Sequence, residues 1–114
     1  MPRNYIGRQV KIEIDRPIGS KHPKFKDCIY PINYGFIPNT MAGDGMEIDV
    51  YLIRENKPQK NIKAKIVGVI LRENDVEYKL VAAPINNYKN VTEEEVKNAT
   101  HFIEQYFKST IVLK

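Results

Sequence analysis

The sequence predicts a mainly β domain: a small closed or nearly closed barrel with one helix packed on it. Three observations predict this. Five or six short runs of apolar, β-branched and aromatic residues are separated by Pro and Gly. Only one segment, near the C-terminus, carries apolar residues at helical spacing. At 114 residues the chain has room for one domain, taken as 1–114, with a single core.

The first strand is marked by Val10, Ile12 and Ile14 alternating with Lys11 and Glu13, a half-buried pattern that Asp15-Arg16-Pro17 is expected to break. A basic loop follows, Lys21-His22-Pro23-Lys24-Phe25-Lys26. Short strands are expected at Cys28–Tyr30, Tyr34–Ile37 and Asp49–Ile53, punctuated by Pro31, Pro38 and the Gly43/Gly45 pair. Lys65–Leu71 and Tyr78–Ala83 form a hairpin turning at Glu73-Asn74-Asp75 and closed by Pro84. The helix runs from Thr92 to about Lys108. Thr92 and Glu95 make a capping box, Val91 and Val96 a hydrophobic staple, and Glu93–Glu95 complement the helix dipole. Val96, Ala99, Ile103 and Tyr106 mark its buried face.

Composition narrows the function classes. Hydrophobic residues are 42% of the chain, which excludes a disordered protein. A lone cysteine, Cys28, cannot close an internal disulfide, which suits a reducing compartment. No stretch has the length of a signal peptide core or a membrane span, so a cytoplasmic protein is expected. The net charge of +4 arises wholly in residues 1–27, which hold seven Lys/Arg and three Asp/Glu, while residues 28–114 hold eleven of each. A basic excess there suits a phosphate-bearing partner, or simply a solvated lysine-rich surface.

The segment with chemical content is Tyr30-Pro31-Ile32-Asn33-Tyr34-Gly35-Phe36-Ile37-Pro38, followed after a short interval by Asp44-Gly45-Met46-Glu47-Ile48-Asp49-Val50. Three carboxylates, Asp44, Glu47 and Asp49, fall within six residues beside two glycines that permit a tight turn. Mg²⁺ wants a few carboxylate oxygens plus water and substrate phosphate. The alternative is a hairpin turn with Asp and Gly in their ordinary turn roles.

This pattern, Tyr-Pro-x-Asn-Tyr-Gly-Phe-Ile-Pro and then Asp-Gly-x-x-x-Asp-Val, resembles the signature of soluble family I inorganic pyrophosphatases. Weaker similarity extends to Val67–Ile70, Lys79–Pro84 and His101–Tyr106. The resemblance implies a five-stranded OB-like barrel with one flanking C-terminal helix. It implies Mg²⁺-dependent hydrolysis of pyrophosphate by a metal-activated water, with Mn²⁺ as a possible substitute. Asp44 and Asp49 match metal-binding aspartates, and Tyr34 an active-site tyrosine near the attacking water. Lys79 and Tyr106 match phosphate-contacting residues, and Glu13 an acid behind the metal site. A homo-oligomer is implied, with the apolar tail Ile111-Val112-Leu113 as a candidate pairing surface.

The chain departs from that pattern at defined points. Met46 stands where the family carries an aspartate, and a thioether is neither a good Mg²⁺ ligand nor a base. Glu47 replaces a proline and is a candidate metal ligand if the turn brings it in. The acidic loop at 72–77 is short, with Glu77 and one of Glu73 or Asp75 as candidate acids. Lys21, His22 and Lys24 stand in place of a family hairpin and are candidate phosphate contacts, although a histidine before a proline is also an ordinary loop residue. The chain is expected to lack the family's C-terminal extension. Three functions follow. The first is pyrophosphate hydrolysis, and the second is hydrolysis of a related phosphoanhydride with a shifted substrate. The third is a degenerate OB-like module that binds phosphate or single-stranded nucleic acid on Tyr30, Tyr34, Phe36 and Tyr51. No stacking motif supports nucleic acid, which ranks last.

Overall fold

In a computed structural model of the chain, residues 2–42, 45–73 and 77–113 are described. A short 3-10 turn, Pro2–Tyr5, leads into β1 (Gln9–Arg16). Then come β2 (Asn33–Ile37), β3 (Ile48–Leu52), β4 (Asn61–Arg72), β5 (Tyr78–Pro84), α1 (Glu93–Glu104) and β6 (Ser109–Val112). The strand order is β1-β2-β3-β5-β4-β6, and a further β1–β4 pairing closes the first five strands into a barrel. The expected five-stranded OB-like barrel with one flanking helix is thus the observed fold. No helix among the described residues is long and apolar enough to cross a membrane.

β4 makes closure possible. One edge of this strand pairs with β1 over Asn61–Lys65 and with β6 over Val69–Arg72. A register shift between Ile66 and Gly68 re-aims the strand between the two partners. Gly68 also admits β6: a side chain there would meet Leu113 at 2.8 Å and the Val112 carbonyl at 3.0 Å. The tail that suggested a pairing surface is therefore a sheet strand of the same chain, with Ile111 and Leu113 packed toward the helix-side core.

β3 and β5 read as unbroken apolar runs because both faces are covered. Val50, Leu52, Leu80 and Ala82 point into the barrel with Ile12, Ile37 and Ile66. Tyr51, Ile53, Val81 and Ala83 point outward, under Val96 and Phe102 of α1. The helix begins as its sequence dictates, with the Thr92 hydroxyl accepting from the Glu95 amide at 3.1 Å. Val91 and Val96 sit in the same core. Arg54, at a left-handed φ of 64°, grips Glu95 at 2.7 and 2.8 Å and ties the helix start to the barrel.

Four expectations need correction. Cys28–Tyr30 is not a strand; only an isolated bridge joins Lys21 to Ile29. Asp15 and Arg16 do not break β1 but end it across a bulge, because β2 continues to pair there through Tyr34. The helix stops at Glu104, where tight hydrogen bonds from Tyr106 and Phe107 to the carbonyls of Ile103 and Glu104 turn the chain toward β6. Tyr106 is consequently not on the buried helical face. Thr100 and Glu104 are, and Glu104 is buried because it is ion-paired.

Gly35 sets the spacing of β1 and β2, since a Cβ there would fall 1.9 Å from the Glu13 carbonyl oxygen. Neither strand can move away without opening the barrel. Gly35→Ala is expected to cost about 3 kcal/mol of stability, typical of severe overpacking, read as a lowered urea midpoint. An unchanged midpoint would show that the β1–β2 approach is not constrained.

Candidate functional site

The two-residue period of the sheet builds the floor of a cleft. Tyr34 and Phe36 of β2 pair in register with Tyr51 and Asp49 of β3, so these four side chains share the outer face of the barrel. Lys79 of β5 and Arg72 of β4 join them, and the cleft encloses about 640 Å³. Its walls come from the basic loop, through His22, Lys24 and Phe25, and from the turn after α1, through Tyr106 and Phe107.

Lys79 is the hub. Only 5% exposed, its ammonium donates to the Tyr34 hydroxyl at 2.9 Å, to Asp49 Oδ2 at 2.6 Å and to Glu77. An ammonium has three protons, so all are engaged. Burial pulls the Lys79 pKa down, but the Tyr34 oxygen and the two carboxylates outweigh it and hold the group protonated. Burial pushes the Tyr34 phenol well above its ordinary value despite Lys79, so it stays neutral and cannot act as a base.

The network continues inward. Arg72 bonds Glu77 at 3.2 Å and Glu104 at 3.2 and 2.7 Å. Glu104 also accepts from the Tyr51 hydroxyl at 2.7 Å. The helix end is thereby fixed to the cleft floor through charged pairs.

The structure places the predicted residues as follows. Tyr34, Asp49, Glu47, Lys79, Tyr106, His22 and Lys24 all line the cleft. Glu47 lies two residues before Asp49, so strand alternation gives it the same face. Met46 lines the cleft too. Asp44 lies outside the described residues. Lys21 does not line the cleft; its backbone pairs with Ile29 and the residue is exposed. Glu13 does not line it either. It pairs with Phe36, one strand beyond Asp49 in the same cross-strand row. Of the loop acids, Asp75 is not described, Glu73 borders a separate groove beside α1 and β6, and Glu77 is the one in the cleft.

Three charged cleft residues escaped the sequence reading. Asp15 and Arg16 looked like a strand break, and Arg72 looked like a hairpin end. The signal for the first was available: the Glu13–Asp15 alternation continues the β1 pattern. Burial raises the Asp15 carboxyl above its ordinary range; Arg16 opposes this, and the nearby Asp49 and Glu47 charges add to it. Arg16 donates to the Tyr30 hydroxyl at 2.6 Å and lies 5.3 Å from the Tyr34 ring centre. Tyr30, Tyr34 and Tyr51 are 1%, 7% and 0% exposed, which removes them as a stacking platform for nucleic acid.

The remaining signature residues shape the site rather than react. Buried Asn33 accepts from the amides of Ile18 and Gln59 and donates to the Lys57 carbonyl, knitting two loops to β2. His22 Nδ1 accepts from the amides of Lys24 at 3.0 Å and Phe25 at 3.3 Å, which fixes the loop turn and leaves Nε2 as the protonated nitrogen.

The donor chemistry suits a hard divalent ion. Asp49 and Glu77 already converge on one cationic nitrogen, and Glu47 and Asp15 border the same space. Among the described residues no group of three acids or histidines is close enough to form a ready ligand set.

Two outcomes are expected. His22 should titrate below its ordinary 6.5, because burial and the charges of Arg16 and Lys24 disfavour its cation. A depressed folded-state value means that the loop contribution is present above pH 6.5 and is lost as pH falls. An NMR midpoint at or above 6.5 would contradict this. Glu104→Ala should destabilise the fold by about 3–5 kcal/mol in urea unfolding, because it strands the buried Arg72 guanidinium. A loss within about 0.5 kcal/mol, as for an ordinary surface change, would show the pair to be incidental.

The inorganic pyrophosphatase family model matches residues 3–114. An inorganic pyrophosphatase of Agrobacterium fabrum is 31% identical over 117 residues, covering 88% of this chain and 66% of its own length. One of Nanoarchaeum equitans is 33% identical over 110 residues, covering 84% and 65%. This chain thus spans just under two thirds of those relatives. The crystal structure of the Ehrlichia chaffeensis inorganic pyrophosphatase superposes with a TM-score of 0.68 at 24% identity, covering 91% of this chain and 84% of that one. That of Neisseria gonorrhoeae gives 0.62 at 26%, covering 88% and 74%. With a barrel of the same fold and a match along nearly its whole length, this chain belongs to the inorganic pyrophosphatase family.

Proposed function

We propose that the chain hydrolyses inorganic pyrophosphate to phosphate with Mg²⁺ as its metal. The observation that carries the reading is the convergence of Asp49, Glu77 and the Tyr34 hydroxyl on the Lys79 ammonium at the floor of an open cleft. Asp49 and Glu77 would hold the metal, with Glu47 at the margin. When bound, the ion lowers the pKa of a water and shields phosphate charge.

The chain's own groups do the rest. Lys79 has no spare donor in this arrangement, and each carboxylate that leaves it opens one donor to a phosphate oxygen. Lys24 and Tyr106 line the cleft walls, where they can reach the substrate's outer oxygens. The neutral Tyr34 hydroxyl orients oxygens rather than removing protons. Met46 offers no base. Asp15 lines the same cleft with a carboxyl that burial raises, which makes it a candidate acceptor for the proton of the attacking water.

Purified protein should release phosphate from pyrophosphate only with Mg²⁺ or, less well, Mn²⁺. Asp49→Asn should lower kcat by at least about 100-fold, and Asp15→Asn by a similar factor if it serves as the base. Metal-independent release, or full activity in Asp49→Asn, would overturn the reading. Full activity in Asp15→Asn alone would assign the proton to another carboxylate.

A further inference from the structure

One wall of the cleft is made of exposed rings. Phe25 is 55% exposed and Tyr106 67% exposed, and their rings lie 6.0 Å apart within 29° of parallel. The His22 ring stands 4.8 Å from Phe25. Phe107, 43% exposed, lines the same cleft. None of these rings is needed in the core, which is closed without them.

Two features make this wall a ligand surface. It is continuous with the charged floor at Asp49, Glu77 and Lys79 in one cavity of about 640 Å³. That volume lies in the range of pockets for drug-sized ligands, about 300–1,000 Å³, and a bare pyrophosphate would leave much of it wet. The wall is also held in place. His22 Nδ1 accepts from the Phe25 amide, and the Phe25 ring stacks on Tyr106, joining the basic loop to the turn after α1 in one surface. Exposed apolar surface beside a polar floor suits a molecule with one charged end and one flat apolar end.

Resting on the phosphoanhydride chemistry proposed above, we propose that the cleft accepts nucleoside diphosphates, with the anhydride on the Asp49–Lys79–Glu77 floor and the base stacked on the Phe25–Tyr106 wall. In the reaction the oxygen of a water bonds to the terminal phosphorus. The bond from that phosphorus to the bridging oxygen breaks, and this oxygen leaves on the nucleoside monophosphate. Nucleoside diphosphate and water give nucleoside monophosphate, inorganic phosphate and one proton, which passes to solvent. Stacking is tolerant of base identity because every base has a π face, so purine and pyrimidine substrates should differ little.

The test is calorimetric, with Mg²⁺ present and two non-hydrolysable probes: methylenediphosphonate and adenosine 5′-(α,β-methylene)diphosphate. The nucleoside probe should bind at least about tenfold tighter, the worth of one stacked base, and Phe25→Ala should erase that preference. Thermal unfolding of the variant should match the parent, since Phe25 is a surface loop residue. Equal or weaker binding of the nucleoside probe, with methylenediphosphonate still bound, overturns this inference and leaves the pyrophosphate reading standing. A preference that survives Phe25→Ala overturns the stacking wall. Binding of neither probe overturns both readings.

Discussion

A lysine ammonium buried to 5% exposure must find a hydrogen-bond acceptor for every proton it carries, and the cleft is organised around that requirement at Lys79. The three acceptors come from three different strands or their edges: Tyr34 from β2, Asp49 from β3 and Glu77 from the entry to β5. Because each is anchored to the sheet, the ammonium fixes the distance between two carboxylates that would otherwise repel. Two carboxylates brought this close also suit a hard cation whose shell is completed by water and substrate oxygens. The site is therefore both charged and held in place by the sheet.

That arrangement depends on a second buried pair. Arg72 shares Glu77 with Lys79 and reaches Glu104 at the end of α1, which in turn holds the Tyr51 hydroxyl. The helix is thus connected to the cleft floor through ionised groups rather than through apolar contact alone. Such pairs add little net stability, since desolvation offsets most of the attraction, but they penalise any arrangement that separates the partners. The position of the turn carrying Tyr106 and Phe107 follows from where Glu104 is held. The Phe107 ring lies against the Arg72 guanidinium, at 3.7 Å from its centre.

Much of this was legible in the sequence because it follows from local chemistry. The alternation in β1, the unbroken apolar runs of β3 and β5, and the Thr92 cap each state their environment in a few residues. The Tyr-Pro-x-Asn-Tyr-Gly-Phe segment was legible as a site because its two-residue period puts Tyr34 and Phe36 on one face and leaves Gly35 for the close approach to β1. What the sequence hid is non-local. Nothing near Glu104 announces that Arg72, thirty-two residues away, neutralises it. Ile111–Leu113 reads as an apolar tail until the bulge at Gly68 opens an edge of β4 to receive it. Arg16 looked like a loop residue because a proline follows, and the bulge that brings it to the cleft beside Asp15 has no local signature. Choosing Glu77 over Glu73 likewise required the hairpin's register.

The central claim is that Lys79 occupies the carboxylate pair which a metal ion takes in the working site. Calorimetric titration of Mg²⁺ into substrate-free protein, compared with Lys79→Met, tests it most directly. Asp49 and Glu77 keep 30% and 26% side-chain exposure, so they remain hydrated without the lysine and the variant can fold. The account predicts tighter Mg²⁺ binding in Lys79→Met, because the competing cation is gone. Unchanged or weaker binding in a folded variant would contradict it, and would place the metal on acids that Lys79 does not touch.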